Sequence, residues 1–484
     1  MKGAFSMLYM GIDAGTQGVR CVVADERGAI AAAKSVPFAR LNAAGGGLYE
    51  QDPADWRAAM EGAVKDCTAQ LRAAGVDPAR IRAISVDGTS GTIVPLDADN
   101  APLTHGLMYN DPRARDEAAE VHAAMGAHEA KLGLKFGASF SLPRVLWFAR
   151  KRPEIFERTR TFAHQADYIA GLLCGEYRVS DYSNALKTGY DLIDGRWPEE
   201  IARLGVDVGK LPSVVRPGAP IAHVTKRAAE ALGLSEETVV VGGSTDGYAS
   251  ALAAGAVRAG SWASIIGTTF VLKGVTEDLI IDPNGSSYSH RLPSGEWLLG
   301  GASNLGGRSL NLCADGRSFD ELNAASEALI PTGVRCYPLT GRGERFPFVD
   351  PGFEPFYIGN IFEGRLYPAL MEGVGFGERY AFERMQALGA QVGDTVYTTG
   401  GACRSALWLR IRAAILNRRL QVPKVVDAAM GSALVAASGD LGSLSEAAAR
   451  MIQYERTVEP DAGLAARYDE IYQQFKCDLS RRLS

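Results

Sequence analysis

What the chain lacks narrows its function before any motif is read. No Walker A pattern, a glycine-rich loop closing on Gly-Lys-Ser or Gly-Lys-Thr, occurs anywhere. Any nucleotide is therefore held by something other than a P-loop. The seven cysteines, Cys21, Cys67, Cys174, Cys313, Cys336, Cys403 and Cys477, are scattered, odd in number and never spaced as CxxC. That pattern argues against a zinc site or a disulfide framework and favours a reducing cytoplasm. The six histidines show no paired spacing, so neither a histidine metal site nor a Ser/His triad has support. A formal net charge of −5 lacks the clustered Lys/Arg excess of a nucleic-acid binder. No apolar run approaches the roughly 20 residues of a membrane helix. Lys2 and the residues after it form too short an apolar run for a signal peptide and lack a small-residue cleavage site, so they read as the approach to a first strand.

What is present is an ordinary globular composition, 46% hydrophobic and 22% charged, over 484 residues. That length exceeds what one hydrophobic core usually supports, and two domains are expected. Met10 to Asp25 reads as strand, turn, strand, with Gly15 and Gly18 at the turn. Two glycines let backbone amides approach an anion, and Thr16 and Gln17 add polar side chains at the tip. Asp13, at the end of the first strand, would face a phosphate held there and could carry Mg²⁺, directly or through water. An ordinary edge hairpin with a turn-forming Asp reads the same way.

Further along, Asp52-Pro53 opens a helix whose Trp56, Met60, Val64, Cys67 and Leu71 share one face, and Gly75 ends it. Ile84 to Val86 is a strand running into the Asp87-Gly88-Thr89-Ser90-Gly91-Thr92 loop, and Ile93 to Leu96 is another. The loop offers glycine backbone and three hydroxyls to a polyhydroxylated ligand. Residues 111 to about 173 read as mostly helical. Thr238 to Val241 is a buried strand that leads through two glycines to Asp246 and a helix. A helix N-terminus favours a carboxylate, so Asp246 is either an N-cap, a general base, or both. As base it would accept the proton of a substrate hydroxyl during phosphoryl transfer.

Trp262 to Lys273 repeats the pattern of the opening hairpin around Gly267-Thr268-Thr269, which suggests two related halves. Thr395 to Thr399 is a strand ending at Gly400-Gly401, with a helix from Ser405 to Asn417. Gly373, Gly375 and Gly377 imitate part of a dinucleotide motif but sit in a helical pattern, where close helix packing accounts for them. The tail after Gly442 reads as amphipathic helix.

Five stretches in register, GIDAGTQGVR, GGSTDG, IIGTTF, GERFPFVDP and TTGGACRSALW, resemble the FGGY carbohydrate kinases of the actin, sugar kinase and heat-shock ATPase superfamily. The likeness spans nearly the whole chain. It implies an α/β fold of two ribonuclease H-like domains hinged over a central cleft, residues 1–254 binding sugar and 255–484 binding ATP, with the final helix allowed to pack back on the first domain. Carried over, Asp246 matches the catalytic base, Asp13 the Mg²⁺-associated aspartate and Thr16, with Gln17 beside it, the phosphate hairpin. Gly267, Thr268 and Thr269 match the second phosphate loop; Gly400 and Gly401, with Ser405 after them, match the adenosine turn.

The xylulokinase branch usually carries Met-His-Gly where this chain has the Asp87–Thr92 loop. That loop, with QADY at Gln165 and SDYSNALKTGY at Ser180, looks like the D-ribulose kinase group. Gly88, Thr89 and Ser90 would then contact the ketose beside Asp246. The reading is a cytoplasmic, ATP- and Mg²⁺-dependent kinase giving D-ribulose 5-phosphate. D-Xylulose or another ketose or polyol is the alternative substrate. An actin-like or chaperone-like ATP-dependent switch is the alternative class. The expected partners are sugar and ATP, with no nucleic acid or membrane, and a homodimer is a compatible assembly.

Overall fold

The structure, a computed structural model, describes residues 7–313 and 316–483. Residues 2–6 of the opening stretch lie outside the described residues. The chain separates into two compact units. Unit 1 comprises the described residues up to Ala253, with His290–Glu296 and Asp427–Ile452. Unit 2 comprises Ala254–Ser289, Trp297–Val426 and the described residues from Gln453 onward. A single cut at 254/255 does not reproduce this division. The late segment that joins unit 1 is Asp427–Ile452, whereas the final helix, Ala462–Leu483, belongs to unit 2.

Unit 1 is built on strands β1 (Leu8–Ala14), β2 (Gly18–Asp25), β3 (Ile30–Pro37), β4 (Ile81–Gly88), β5 (Pro220–His223) and β6 (Val239–Thr245), in the order β5-β6-β4-β1-β2-β3. β1, β2 and β3 form an antiparallel meander, β4 runs parallel to β1 and β6 parallel to β4. The opening hairpin is therefore not an edge feature: β1 lies in the sheet interior, and all seven of its residues are buried. Helix α1 (Pro53–Ala73) starts as expected, with Asp52 accepting from the Ala54 amide and Pro53 in the first turn. Its apolar face packs on β2 and β3.

β1 is also covered by the helix Ala428–Ala437, every residue of which is buried. The approach is so close that a Cβ on Gly11 would lie 1.8 Å from the Ala429 carbonyl oxygen. Only glycine in the strand and small residues in the helix permit that packing.

The sheet of unit 2 repeats the plan. Its strands are β7 (Trp262–Ile266), β8 (Phe270–Thr276), β9 (Tyr288–Arg291, whose last two residues the division assigns to unit 1), β10 (Trp297–Ser303), β11 (Thr395–Thr399), β12 (Arg419–Pro423) and β13 (Tyr454–Val458), in the order β9-β10-β8-β7-β11-β12-β13. β7, β8 and β10 form a second antiparallel meander. β11 then runs parallel to β7, β12 parallel to β11, and β13 antiparallel to β12. The tail expected to be wholly helical thus contains a strand. Tyr454–Val458 is an edge strand whose side chains are mostly exposed. Its backbone pairing is not announced by an apolar pattern.

The long helix Leu366–Ala387 packs Phe382 against Trp262 of β7, and its glycines serve packing. A Cβ on Gly373 would meet Cys336, one on Gly375 would meet Ile415, and one on Gly377 would meet Leu305. Beneath the strands, Arg412 and Glu378 form an ion pair with neither side chain exposed. Ser264 and Thr398 complete their hydrogen bonds.

Candidate active site

In unit 1 three parallel strands deliver carboxylates to one level of the sheet. Asp13 on β1 is the register partner of Asp87 on β4, and Asp87 in turn faces Ser244 on β6, two residues before Asp246. Carboxyl ends of parallel strands are where α/β proteins place their ligands. Asp13 is 2% exposed and accepts from Arg20 Nη1 at 2.8 Å, across the hairpin. Asp87 is fully buried; Ser432 Oγ, on the Ala428–Ala437 helix, donates to its Oδ2 at 2.6 Å. No hydroxyl or amide of the protein donates to its buried Oδ1. Burial above all, and then the charge of Asp13, pushes the Asp87 carboxyl well above the usual range; Asp246 adds to the effect. Burial likewise raises Asp13, against the pull of its bonds with Asp87 and Arg20. Asp87 was part of the sequence loop but was not singled out; the structure makes it a member of the cluster.

Asp246 is the first residue of helix α2 (Asp246–Ala254), half-buried, with Oδ1 accepting from the Gly247 amide at 2.6 Å. The approach to it is pinned from the Ser180 motif. Ser183 Oγ accepts from the Thr245 amide at 2.8 Å, and Asn184 Nδ2 donates to the Ser244 carbonyl at 3.1 Å. Both groups are held by buried Asp181, which accepts from Ser183 Oγ and Asn184 Nδ2 at 2.7 Å each.

The Asp87–Thr92 loop is partly turned inward. Thr89 donates its amide and hydroxyl to Gln165 Oε1 at 3.0 and 2.6 Å, and its hydroxyl also lies 2.6 Å from that of Thr92. Thr89 is fully buried, so two of the three hydroxyls expected to face a ligand are satisfied within the protein. Ser90 Oγ is the exception, buried without a partner. Gly88 ends β4 against the backbone of Ala166. Thr16 and Gln17 are exposed at the hairpin tip. Their backbone is fixed by Gln51 Nε2, which donates to the Thr16 carbonyl, and by the Phe38 amide, which donates to that of Gln17.

Unit 2 carries a cavity of about 680 Å³. Gly267 and Thr268 line it from the tip of the second hairpin, where the Gly267 amide donates to the Thr269 carbonyl. Arg308 and Arg404 bring positive charge to the wall, and Gly401, Ala402 and Ser405 form another side. Thr269 and Gly400 do not line it. Gly400 instead makes the turn into it: its φ is +93°, and a Cβ would sit 2.4 Å from the Ile266 carbonyl oxygen. Ser405 caps helix α3 (Ala406–Leu416), accepting from the Trp408 amide at 3.1 Å. Cavities of this size hold small organic ligands and cofactors.

Among the described residues no group of three or more His, Cys, Asp or Glu could hold a metal ion by itself. None of the described helices is long and apolar enough to cross a membrane.

Known proteins resemble this chain over most of its length. A xylulose kinase of Bacillus subtilis (strain 168) is 27% identical, the match covering 96% of this chain and 95% of the relative. A gluconokinase of the same organism is 25% identical over 86% of this chain and 84% of its own length. The crystal structure of xylulose kinase from Rhodospirillum rubrum superposes with a TM-score of 0.87 at 26% identity, covering 98% of each chain. The fold is the two-domain, ribonuclease H-like architecture of these kinases. The model of the FGGY family of carbohydrate kinases matches in both parts, its N-terminal domain over residues 8–253 and its C-terminal domain over residues 262–439. This chain is an enzyme of the FGGY family of carbohydrate kinases.

Proposed function

We propose that the enzyme transfers the γ-phosphoryl group of ATP to a hydroxyl of a ketopentose, with Asp246 as general base. The observation that carries the assignment is the convergence of Asp13, Asp87 and Asp246 on the ends of three parallel strands. Asp87 is buried and already bonded to Ser432, and Asp13 is bonded to Arg20. Asp246 is the more open of the three carboxylates. It takes the proton of the attacking hydroxyl as the new O–P bond forms and the bond to the departing ADP breaks. The cavity of unit 2 receives the nucleotide, with Arg308, Arg404 and the Gly267–Thr268 hairpin tip beside the phosphates.

Asp13 fits a magnesium-associated role. It is a single buried carboxylate beside an unpartnered oxygen of Asp87, and Mg²⁺ in kinase sites uses one or two carboxylates while keeping water and phosphate ligands. Bound there, Mg²⁺ neutralises charge on the transferring phosphate. Arg20 orients Asp13 for it.

For the sugar, the relatives favour D-xylulose. The second reading, D-ribulose, rests on the Asp87–Thr92 loop, which replaces the Met-His-Gly of xylulokinases and leaves Ser90 Oγ as its one buried hydroxyl without a partner. Coupled ADP release with Mg²⁺-ATP across D-xylulose, D-ribulose, their L-isomers, ribitol, glycerol and gluconate decides between them. Preference for D-xylulose supports the first reading and preference for D-ribulose the second. Turnover with gluconate or a polyol alone removes the ketopentose from the proposal.

A further inference from the structure

The cavity of unit 2 contains one amide whose hydrogen-bond polarity is fixed by its neighbours. Asn323 lies on helix Phe319–Ser326 and lines the cavity, half-buried. Its Oδ1 accepts from Tyr367 Oη and from Ser405 Oγ, each at 3.1 Å. Ser405 is in turn the acceptor for the Trp408 amide, so its own proton is directed to Asn323. Both lone pairs of Oδ1 are thereby used. What Asn323 retains for a ligand is the two N–H donors of Nδ2.

One helical turn before it, on the same face, stands Phe319. This ring lines the same cavity, is 48% exposed, and lies nearly parallel to that of Tyr367, centroids 6.4 Å apart at 22°. An exposed aromatic face next to a donor-only amide suits a flat heteroaromatic group with acceptor atoms in its plane. A purine has that form, with ring nitrogens that accept.

We propose that Asn323 reads the nucleobase of a purine nucleotide, donating from Nδ2 to a ring acceptor while Phe319 covers one face of the base. This rests on the nucleotide reading of the cavity and names the residue that recognises the base end. Ser405, expected from the sequence to touch the nucleotide, is on this account a positioning residue that holds the Asn323 amide in one orientation.

The test is calorimetric binding of ADP and of inorganic tripolyphosphate, which has charge but no base, to the full chain. Asn323→Ala is expected to weaken ADP about 5- to 10-fold, the worth of one hydrogen bond, and to leave tripolyphosphate within about 2-fold. Phe319→Ala shows the same split. Among the 1-, 3- and 7-deaza analogues of ADP, one loses on the wild type what Asn323→Ala loses with ADP, and combining the two changes adds nothing further. ADP binding by Asn323→Ala within 2-fold of wild type overturns the proposal, as does equal weakening of both probes. If wild-type protein binds neither probe, the nucleotide reading itself falls and this one with it. Asn323→Asp is the second variant: it keeps an acceptor for Tyr367 and Ser405 but loses the donor. ADP binding by that variant at wild-type strength also overturns the proposal.

Discussion

The two units share one sheet topology and use it oppositely. In unit 1 the ends of β1, β4 and β6 carry Asp13, Asp87 and, just beyond, Asp246. In unit 2 the equivalent strands end at Ile266, Thr399 and Pro423, with glycines after the first two. Unit 2 does bury charge, but under the sheet and fully paired, as Arg412 with Glu378. Unit 1 leaves a buried carboxylate oxygen of Asp87 without a donor. A buried polar atom left unsatisfied is costly, and such sites persist where function requires them. The same scaffold therefore yields one half with carboxylates at three strand ends and one half with none at the equivalent ends.

The largest effect in breaking this contrast is expected at Asp246. Asp246→Asn lowers kcat by about 10²- to 10⁴-fold, the usual contribution of a general base, with sugar and ADP affinities little changed. Near-wild-type turnover in a coupled assay removes Asp246 from the role. Next is the paired charge of unit 2: Arg412→Met strands Glu378 in the core and costs about 3–5 kcal/mol. Thermal unfolding detects this, and the double replacement Arg412→Met, Glu378→Met recovers much of the loss. Equal destabilisation in the single and double variants means the two charges do not act as a pair.

A third comparison uses pH. Burial pushes Glu372, bonded to Thr332 and Tyr468, from an ordinary 4.5 up to about 7. The folded state thus holds this proton to higher pH than the unfolded chain. The associated stability is complete below about pH 4.5 and lost as pH rises through 7, on the order of 3 kcal/mol in all. Glu372→Gln lacks that loss, so its melting temperature relative to wild type climbs over the same interval; a constant difference refutes the assignment. The smallest effect is at Ser432. Ser432→Ala removes the hydroxyl that serves Asp87 and lowers stability by about 1–3 kcal/mol, read as a lowered melting temperature with the fold retained by circular dichroism.

Much of this frame was legible in the sequence because its signals are local. The glycine tips at Gly15/Gly18 and Gly267, the Asp52-Pro53 start and the Gly400 turn each announce themselves within a few residues. The likeness between the two hairpins extends in the structure to whole sheets. What escaped depends on distance or on absent periodicity. Ala428–Ala437 is apolar and buried all round, so it has no amphipathic stripe to read. The partner of Asp87 lies 345 residues away in sequence. Thr89 looked available because a hydroxyl in a glycine loop usually is, and only the position of Gln165 shows it engaged. Asn323 carries no motif; its role emerges from three side chains drawn from separate helices.

The Ala428–Ala437 helix also dictates an order of assembly. During synthesis, chains usually fold domain by domain from the N-terminus, yet here the first sheet emerges without the helix that seals β1. Strand, aspartate and glycine wait, uncovered, until residues 428–437 leave the ribosome, after the chain for most of unit 2. A fragment ending between the two family domains would expose the Gly11 face and leave Asp87 without its hydroxyl. A genetic cut at the apparent domain boundary thus yields a sheet with all six strands in hand but β1 left bare of its helix.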